Sequence, residues 1–317
     1  LTSNHPSVVD KNLIMLGEYF NCYQTRKIPH TLGPFDEQGI PMFSPHKLKL
    51  KGSANYHPIV IIQYALSNYN LWIIKKENKY KDDFLKCAYW LVDNATSDLD
   101  RNTCIWYYNF DLSHPPIKAP WYSGMAQGQA LSVIARAYEI TQSPMFLKTG
   151  TKAMASFNYT LDEEGCVSKL DDGTKFIQEL AYPPAIFILN GCIYGVIGLY
   201  DFIHVTNLDK TILESYINGL KRLIPKYDTG FWSKYSLGMR FHLADDYYHD
   251  VHILQLNKMF EISGDIVFKK YAIKFETYKN SNTWMNKTIR FIYLSFNRFL
   301  RKINIKKFLY SSVLITN

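Results

Sequence analysis

Four stretches of this chain repeat one pattern. Each opens with an apolar helical run containing small residues, passes a short polar turn and continues into a second, amphipathic run. The first copy spans His57 to Trp72 and then Tyr80 to Val92, and the second Gly124 to Tyr138 and then Pro144 to Phe157. The third spans Asn190 to Phe202 and then Leu208 to Leu223, and the fourth His249 to Phe260 and then Asp265 to Tyr278. The copies begin at residues 57, 124, 190 and 249, roughly 60–70 residues apart, and self-similarity at a fixed period marks a repeat architecture. Helical hairpins of this length stack side by side or close into a ring. The fold expected is mainly α, an incomplete α/α toroid of about four helical hairpins, with an open helical array as the alternative.

Local signals support the helix ends. Ser143 and Asp265 precede apolar-periodic runs, where a short polar side chain accepts from unpaired amides. Pro144 suits a first helical turn, and Gly230 and Gly264 suit caps or turns. The links between hairpins are long: Asp93 to Ser123, Asn158 to Leu189 and Tyr227 to Tyr248. They occupy equivalent places in the repeat, so they emerge at one end of the stack. They carry strand-like runs at Cys104–Tyr108, Gly165–Ser168 and Phe231–Tyr235, predicting β-hairpin loops there. Loops of this length in a compact domain are usually functional, so the site is sought at this end. Residues 1–54 show turn signals at Gly33-Pro34 and Gly39-Ile40-Pro41 and read as an extended N-terminal arm.

Composition narrows the function. Charged residues are only 20% of the chain and apolar residues 47%, which rules out disorder for most of it. Aromatic residues reach 15%, led by 24 Tyr, and rings with a polar edge suit sugar clefts as well as ordinary cores. The five cysteines are scattered without a C-x-x-C pair, which argues against a disulfide framework or a cysteine zinc site and for a reducing compartment. No run of 18 apolar residues is present to span a membrane. The polar opening from Leu1 to Asp10 lacks the apolar segment of a signal peptide, and Leu1 in place of an initiator methionine leaves room for an upstream piece.

The net charge of +8 is concentrated in the last segment. From Lys279 to the end there are eight Lys and Arg and no Asp or Glu, so the rest is close to neutral and offers no general nucleic-acid surface. Ile289, Ile292, Tyr293, Phe296, Phe299, Leu300 and Ile303 recur at helical spacing, with Arg290, Arg298, Arg301 and Lys302 mostly off that stripe. Such a basic amphipathic helix either lies on an anionic membrane through residues 284–307 or packs on the domain with its basic face in water. The expected division is an arm at 1–54, a helical catalytic domain at 55–279 and a basic tail at 280–317. The expected location is cytoplasmic, peripheral at the inner face of the membrane on the first reading of the tail.

Polar and aromatic groups gather at the link ends. One link brings Tyr107, Trp121, Gln127 and Gln129, the next Glu179, Tyr182 and Asn190, and the last Tyr235, Arg240, Asp245, Asp246, Tyr248, His249 and His252. Each has a plainer reading. A tyrosine is more often packing than catalysis, and Asp245-Asp246 is more often a solvated pair or a helix cap. His249 and His252 share a helical face, but no third ligand stands in motif relation to them, which favours buried hydrogen-bonded histidines over a metal site.

Several of these residues lie in motifs that resemble the D-glucuronyl C5-epimerases. Trp121-Tyr122-Ser123-Gly124-Met125-Ala126-Gln127-Gly128-Gln129-Ala130 is similar to that family's W-x-S-x-M-A-Q-G-Q-A. In the same order follow Phe187-Ile188-Leu189-Asn190-Gly191, Gly198-Leu199-Tyr200-Asp201, Tyr227-Asp228-Thr229-Gly230, and Tyr248-His249 with His252-Ile253 and Gln255-Leu256. Earlier, His57-Pro58-Ile59 and Gln63-Tyr64-Ala65-Leu66-Ser67 fit as well. The likeness covers roughly residues 55–279 and leaves the basic tail outside.

The resemblance implies an α/α toroid and inversion at C5 of a uronate inside a heparan-type polysaccharide, converting D-glucuronate to L-iduronate without a cofactor or metal. Animal relatives carry extra N-terminal β-domains, so part of the cleft is either absent here or supplied by a partner in a homodimer. The reaction needs two acid–base groups, or one group and a water. Two departures matter. The family's Glu-Tyr-Pro becomes Glu179-Leu180, with Tyr182-Pro183 further on; either Tyr182 takes the tyrosine's role or that tyrosine is lost. Gly238 stands where the family has an arginine, and Arg240 is the available substitute for binding the carboxylate. The expected acid–base pair is Tyr248 with Tyr182 or Glu179, with Tyr235 beside them. Arg240, Asn190, His249, His252, Tyr107, Trp121, Gln127 and Gln129 would hold the substrate. Rival readings are a polysaccharide lyase, an α/α-toroid glycoside hydrolase using Glu179 with Asp245 or Asp246, and a non-catalytic glycan-binding relative.

Overall fold

The structure is a computed structural model that describes residues 16–20, 34–43, 55–113, 115–238, 242–281, 288–289, 291–292 and 295. Most of the N-terminal arm and the basic tail, including most of the expected membrane-facing helix at 284–307, lie outside the described residues. Among the described residues no helix is long and apolar enough to cross a membrane.

Four helical hairpins form the body, as the repeat predicts. They are α1 (Pro58–Lys75) with α2 (Asn78–Asp93), α3 (Gly124–Thr141) with α4 (Pro144–Ala155), α5 (Leu189–Thr206) with α6 (Thr211–Leu223), and α7 (Asp246–Ser263) with α8 (Ile266–Asn280). The first helix of each hairpin packs on the first helix of the next, in the series α1, α3, α5, α7. Because a hairpin reverses the chain, these four run in one direction and their N-terminal ends share one end of the body.

The two kinds of helix differ in burial. On α3 and α5 almost every residue is buried, so they are enclosed on all sides. On α2 and α6 only one stripe is buried, the mark of an outer helix. Glycine sets the approach of α3 to α5. A Cβ on Gly198 would stand 1.7 Å from the Gly128 carbonyl oxygen, and one on Gly128 would stand 2.4 Å from the Gly195 Cα. The two backbones therefore touch, which any side chain at these positions would prevent.

Helix ends follow local chemistry, with one exception. Asp265 accepts from the Val267 amide, and Gly264 closes α7 at a φ of 69°. Ser123 and Asp245 cap α3 and α7 by accepting from the Ala126 and Tyr248 amides. Ser143 occupies the cap position of α4, but its side chain makes no capping bond, and the Pro144 ring supplies the start instead.

The links hold short antiparallel ladders. Strands β1 (Thr96–Asp98) and β2 (Thr103–Ile105) pair, as do β3 (Tyr107–Tyr108) with β6 (Trp121–Tyr122), β4 (Leu112–Ser113) with β5 (Pro116–Ile117), and β7 (Val167–Lys169) with β8 (Lys175–Ile177). The run Phe231–Tyr235 forms single bridges, Asp228 to Ser233 and Lys234 to Leu243, in place of a ladder. Gly230 turns the chain at a φ of 85°, and the segment is held between the Phe187–Leu189 stretch and His242.

At the opposite end, residues 16–20 lie across the C-terminal halves of α1 and α3. The Leu16 amide donates to Glu139, Tyr69 donates its hydroxyl to the Leu16 carbonyl, and Asn70 exchanges two bonds with the Tyr19 backbone. Beneath them Arg136 donates to Asp201 at 2.7 Å, both side chains being 4% exposed.

Candidate active site

The site is built from the link into α5 and the link into α7. After β8, Gln178 anchors the first of these. Its carbonyl oxygen accepts from the amides of Ile186 and Phe187, and its nitrogen donates to Ser168. The chain between Gln178 and Phe187 is thus closed at its root. Phe187 adopts a φ of 57°, a left-handed conformation that costs a bulky residue about 1–2 kcal/mol and is held only where surroundings dictate it. Its carbonyl accepts from the Tyr227 hydroxyl and the Leu237 amide, which fixes it.

Glu179 follows directly. The residue is partly accessible, but its Oε2 is sealed from solvent and has no hydrogen-bond partner. Burial alone pushes its carboxyl up to about 7, because the charged form loses its water. Gly191, in the first turn of α5, makes the room: a Cβ there would lie 2.5 Å from Glu179 Oε2 and 2.6 Å from its Cβ. The Asn-Gly pair at the start of α5 therefore shapes the seat of the acid.

Two tyrosines lie within electrostatic reach of the same carboxyl. Asp245 fixes the first turn of α7, and with it Tyr248. Tyr235 meets Tyr248 with ring centroids 4.7 Å apart at 64°. Burial and the nearby Glu179 hold both phenols above the ordinary tyrosine range. The interaction between the two side chains raises Tyr235 and lowers Tyr248, so a negative charge rests more easily on Tyr248. A carboxyl titrating near neutrality can both take and give a proton at that pH, the property required of an acid–base group.

A fully buried polar chain supports this layer. His249 Nε2 reaches the Phe275 carbonyl at 2.9 Å, and a carbonyl only accepts, so the proton is on Nε2. Its Nδ1 then accepts from the Ser233 hydroxyl at 2.8 Å, and Ser233 in turn accepts from His252 Nδ1 at 2.9 Å. His252 Nε2 is left as a bare, buried lone pair. Burial lowers His252 to about 3, so it stays neutral. One turn on, Gln255 donates to the Asn190 carbonyl, leaving Gln255 Oε1 and Asn190 Oδ1 unpartnered.

The other residues singled out in the sequence fall into distinct places. Tyr182, three residues after Glu179, is 44% exposed. Gln127 is buried and donates to the Cys104 carbonyl; Trp121 stacks on Tyr108 at 4.1 Å and donates to Phe110. His249 stacks on Trp232 at 3.6 Å. Gln129 is buried with Oε1 unpartnered. Tyr107 is half-buried in the first link, and Asp245 is the helix cap already described. Arg240 lies outside the described residues. Ser233 and Gln178 are residues that sequence reasoning left off, and Gln255 enters it only as part of a family motif; single polar residues in loops and helices carry no local signal of such roles. Among the described residues no three His, Cys, Asp or Glu side chains gather closely enough to hold a metal ion.

The fold resembles that of a solved enzyme structure. It matches the solved structure of cellobiose 2-epimerase from Bacillus thermoamylovorans with a TM-score of 0.55 and 12% identity, over 71% of this chain and 60% of that one. Residues 100–277 match the family described as D-glucuronyl C5-epimerase C-terminus, and the chain belongs to that family. It is 29% identical over 221 residues to the D-glucuronyl C5-epimerase of Caenorhabditis elegans, a stretch covering 63% of this chain and 35% of that protein. It is also 26% identical over 223 residues to an uncharacterised protein of Methanocaldococcus jannaschii, covering 65% of this chain and 71% of that one. The chain thus spans only about a third of the animal relative's length.

Proposed function

We propose that this chain epimerises D-glucuronate residues at C5 within a polysaccharide, with Tyr248 and Glu179 as the acid–base pair. The observation that carries the reading is the Glu179 carboxyl, its Oε2 sealed and unpartnered, raised to about 7 and within electrostatic reach of the Tyr235–Tyr248 pair. In this reading the hairpins form an arc of an α/α toroid whose inner helix N-termini surround the sugar.

Chemically, one group removes the C5 hydrogen as a proton and the bonding electrons pass into the uronate carboxylate, giving an enolate-like intermediate. The other group then returns a proton to C5 from the opposite face. Glu179 as carboxylate and Tyr248 as phenol fill these roles in one direction, and the reverse direction exchanges them. Tyr235 interacts with Tyr248 and eases its deprotonation. The helix N-termini favour the substrate's negative charge. With Leu180 where the family has tyrosine, Glu179 is the group this reading assigns to the second face.

The test is incubation with glucuronate-containing polymers in deuterated water, followed by NMR of C5. Deuterium should enter at C5 with formation of iduronate. Tyr248→Phe should lose exchange while remaining folded, and retention of full exchange would remove Tyr248 from the mechanism. An unsaturated, ultraviolet-absorbing product would instead identify a lyase.

A further inference from the structure

Ser233 joins the two elements that carry the tyrosines of the site. It stands two residues before Tyr235 in the last link, and His249 directly follows Tyr248 on α7. Its backbone amide and its hydroxyl both reach His249 Nδ1, at 3.3 and 2.8 Å, and the hydroxyl also meets His252 Nδ1 at 2.9 Å. Trp232, the residue before it, stacks on the His249 ring at 3.6 Å and donates to the Ala244 carbonyl, next to the Asp245 cap. The Ala244 amide donates to the Ser233 carbonyl at 3.0 Å. On its other side His249 is held by the Phe275 carbonyl of α8. The link, α7 and α8 are thus tied together around one serine.

A hydroxyl is the group this junction requires. Ser233 Oγ gives its single proton to His249 and accepts the N–H of His252, so one atom must both donate and accept. Ser233, His249 and His252 are each 0% exposed, so none of them reaches a substrate. What the junction controls is the placement of its neighbours. The Tyr235 amide donates to the His242 carbonyl and its carbonyl accepts from the Leu189 amide, while Tyr248 rides on the first turn of α7. Their rings meet with centroids 4.7 Å apart. Without the hydroxyl, a buried imidazole acceptor and a buried N–H lose their partner, and buried polar groups left unpaired are costly.

We propose that Ser233 is a positioning residue: its hydroxyl sets the link against α7 and so holds Tyr235 on Tyr248 in the arrangement used for proton transfer. The proposal rests on the reading of Tyr248 as an acid–base group, but ring placement and histidine tautomers test it without turnover.

Ser233→Ala and Ser233→Cys are compared with wild type in the full chain. The thiol nearly keeps the volume but is a weak donor and a weak acceptor. Nitrogen-15 NMR of the wild type should show His249 protonated at Nε2 and His252 at Nδ1. In the folded variants His252 should lose that fixed tautomer, and the nuclear Overhauser contact between the Tyr235 and Tyr248 rings should weaken. In C5 exchange on a glucuronate polymer, kcat should fall about 10²-fold, the scale of a misplacement near 1 Å, while KM changes less than about twofold. Wild-type ring contact and kcat in folded Ser233→Ala overturn the proposal, as does a loss carried by KM alone. If Ser233→Ala does not fold, Ser233→Cys decides on the same readouts. If neither folds, Ser233 belongs to the fold and the positioning role is removed. A wild type without C5 exchange defeats the functional reading and not this one, which then stands or falls on the tautomers and the ring contact.

Discussion

The two ends of the helical body treat buried charge in opposite ways. At the C-terminal end of the inner helices, Arg136 is matched by Asp201 at 2.7 Å, accepted by the Ser132 carbonyl at 3.0 Å and sandwiched by the Tyr19 and Tyr69 rings, each 5.2 Å from the guanidinium. Its Nε is unbonded, but its charge is answered. At the N-terminal end, Glu179 Oε2 has no partner. A matched pair holds structure together; an unmatched buried carboxyl oxygen is costly to keep charged and poised to hold a proton. The difference is the physical reason for placing chemistry at one end and anchorage at the other.

The largest effect that would sharpen this contrast is on activity at the open end. Glu179→Gln should lower C5 exchange by about 10²–10⁴-fold, the usual span for an acid–base group, while urea unfolding shows stability kept or improved. A variant with near-normal exchange would break the assignment. At the closed end the order reverses. Asp201→Ala should cost about 3–5 kcal/mol in urea unfolding, because it strands the buried Arg136 charge. A cost below about 1 kcal/mol, the scale of exposed ion pairs, would mean that the pair is not enclosed as described.

Between the two ends, Gly198→Ala should destabilise by about 1–3 kcal/mol, since its methyl would meet the Gly128 carbonyl and force α3 and α5 apart. Thermal unfolding of that variant reads the effect, and an unchanged midpoint would mean that the crossing yields freely.

The smallest effect is the pH dependence of stability. Glu179 is raised from 4.5 to about 7, so between these values the folded chain binds more protons than the unfolded chain. Its contribution is fully present below 4.5 and is lost as pH rises through 7. His252, lowered from 6.5 to about 3, acts in the opposite sense, with stability present above 6.5 and lost as pH falls through 3. Comparing wild type with Glu179→Gln cancels the histidine contribution. The variant's advantage should grow as pH rises from 5 to 8. A pH-independent difference would mean that Glu179 is not raised.

Much of the fold was legible from the sequence because helical periodicity is a local property. The hairpins fall where the repeat puts them, with their starts and ends shifted by a few residues; α7 begins at Asp246, ahead of His249, because Asp245 caps it. The links likewise fall at one end, since a hairpin must return its chain. The Phe231–Tyr235 run has strand-like composition, but the Gly230 turn and its neighbours reduce it to single bridges. The site was legible only in part. Glu179, Tyr235 and Tyr248 stand out as chemistry-bearing residues at link ends, and so does Tyr182, which is 44% exposed. Ser233 gave no signal, although it sets the tautomers of two histidines.

The sequence by itself determined four helical hairpins, three long links on a common side and a charge excess confined to the tail. Each follows from the order and spacing of residues along the chain. The tertiary structure alone decided which polar groups are buried together and which protons they hold. Glu179 is raised because the fold takes its carboxyl out of water, with Gly191 of α5 packed against it, while Tyr235 of the last link and Tyr248 of α7 come within its electrostatic reach. Desolvation depends on everything surrounding a group in space, and order along the chain does not record that.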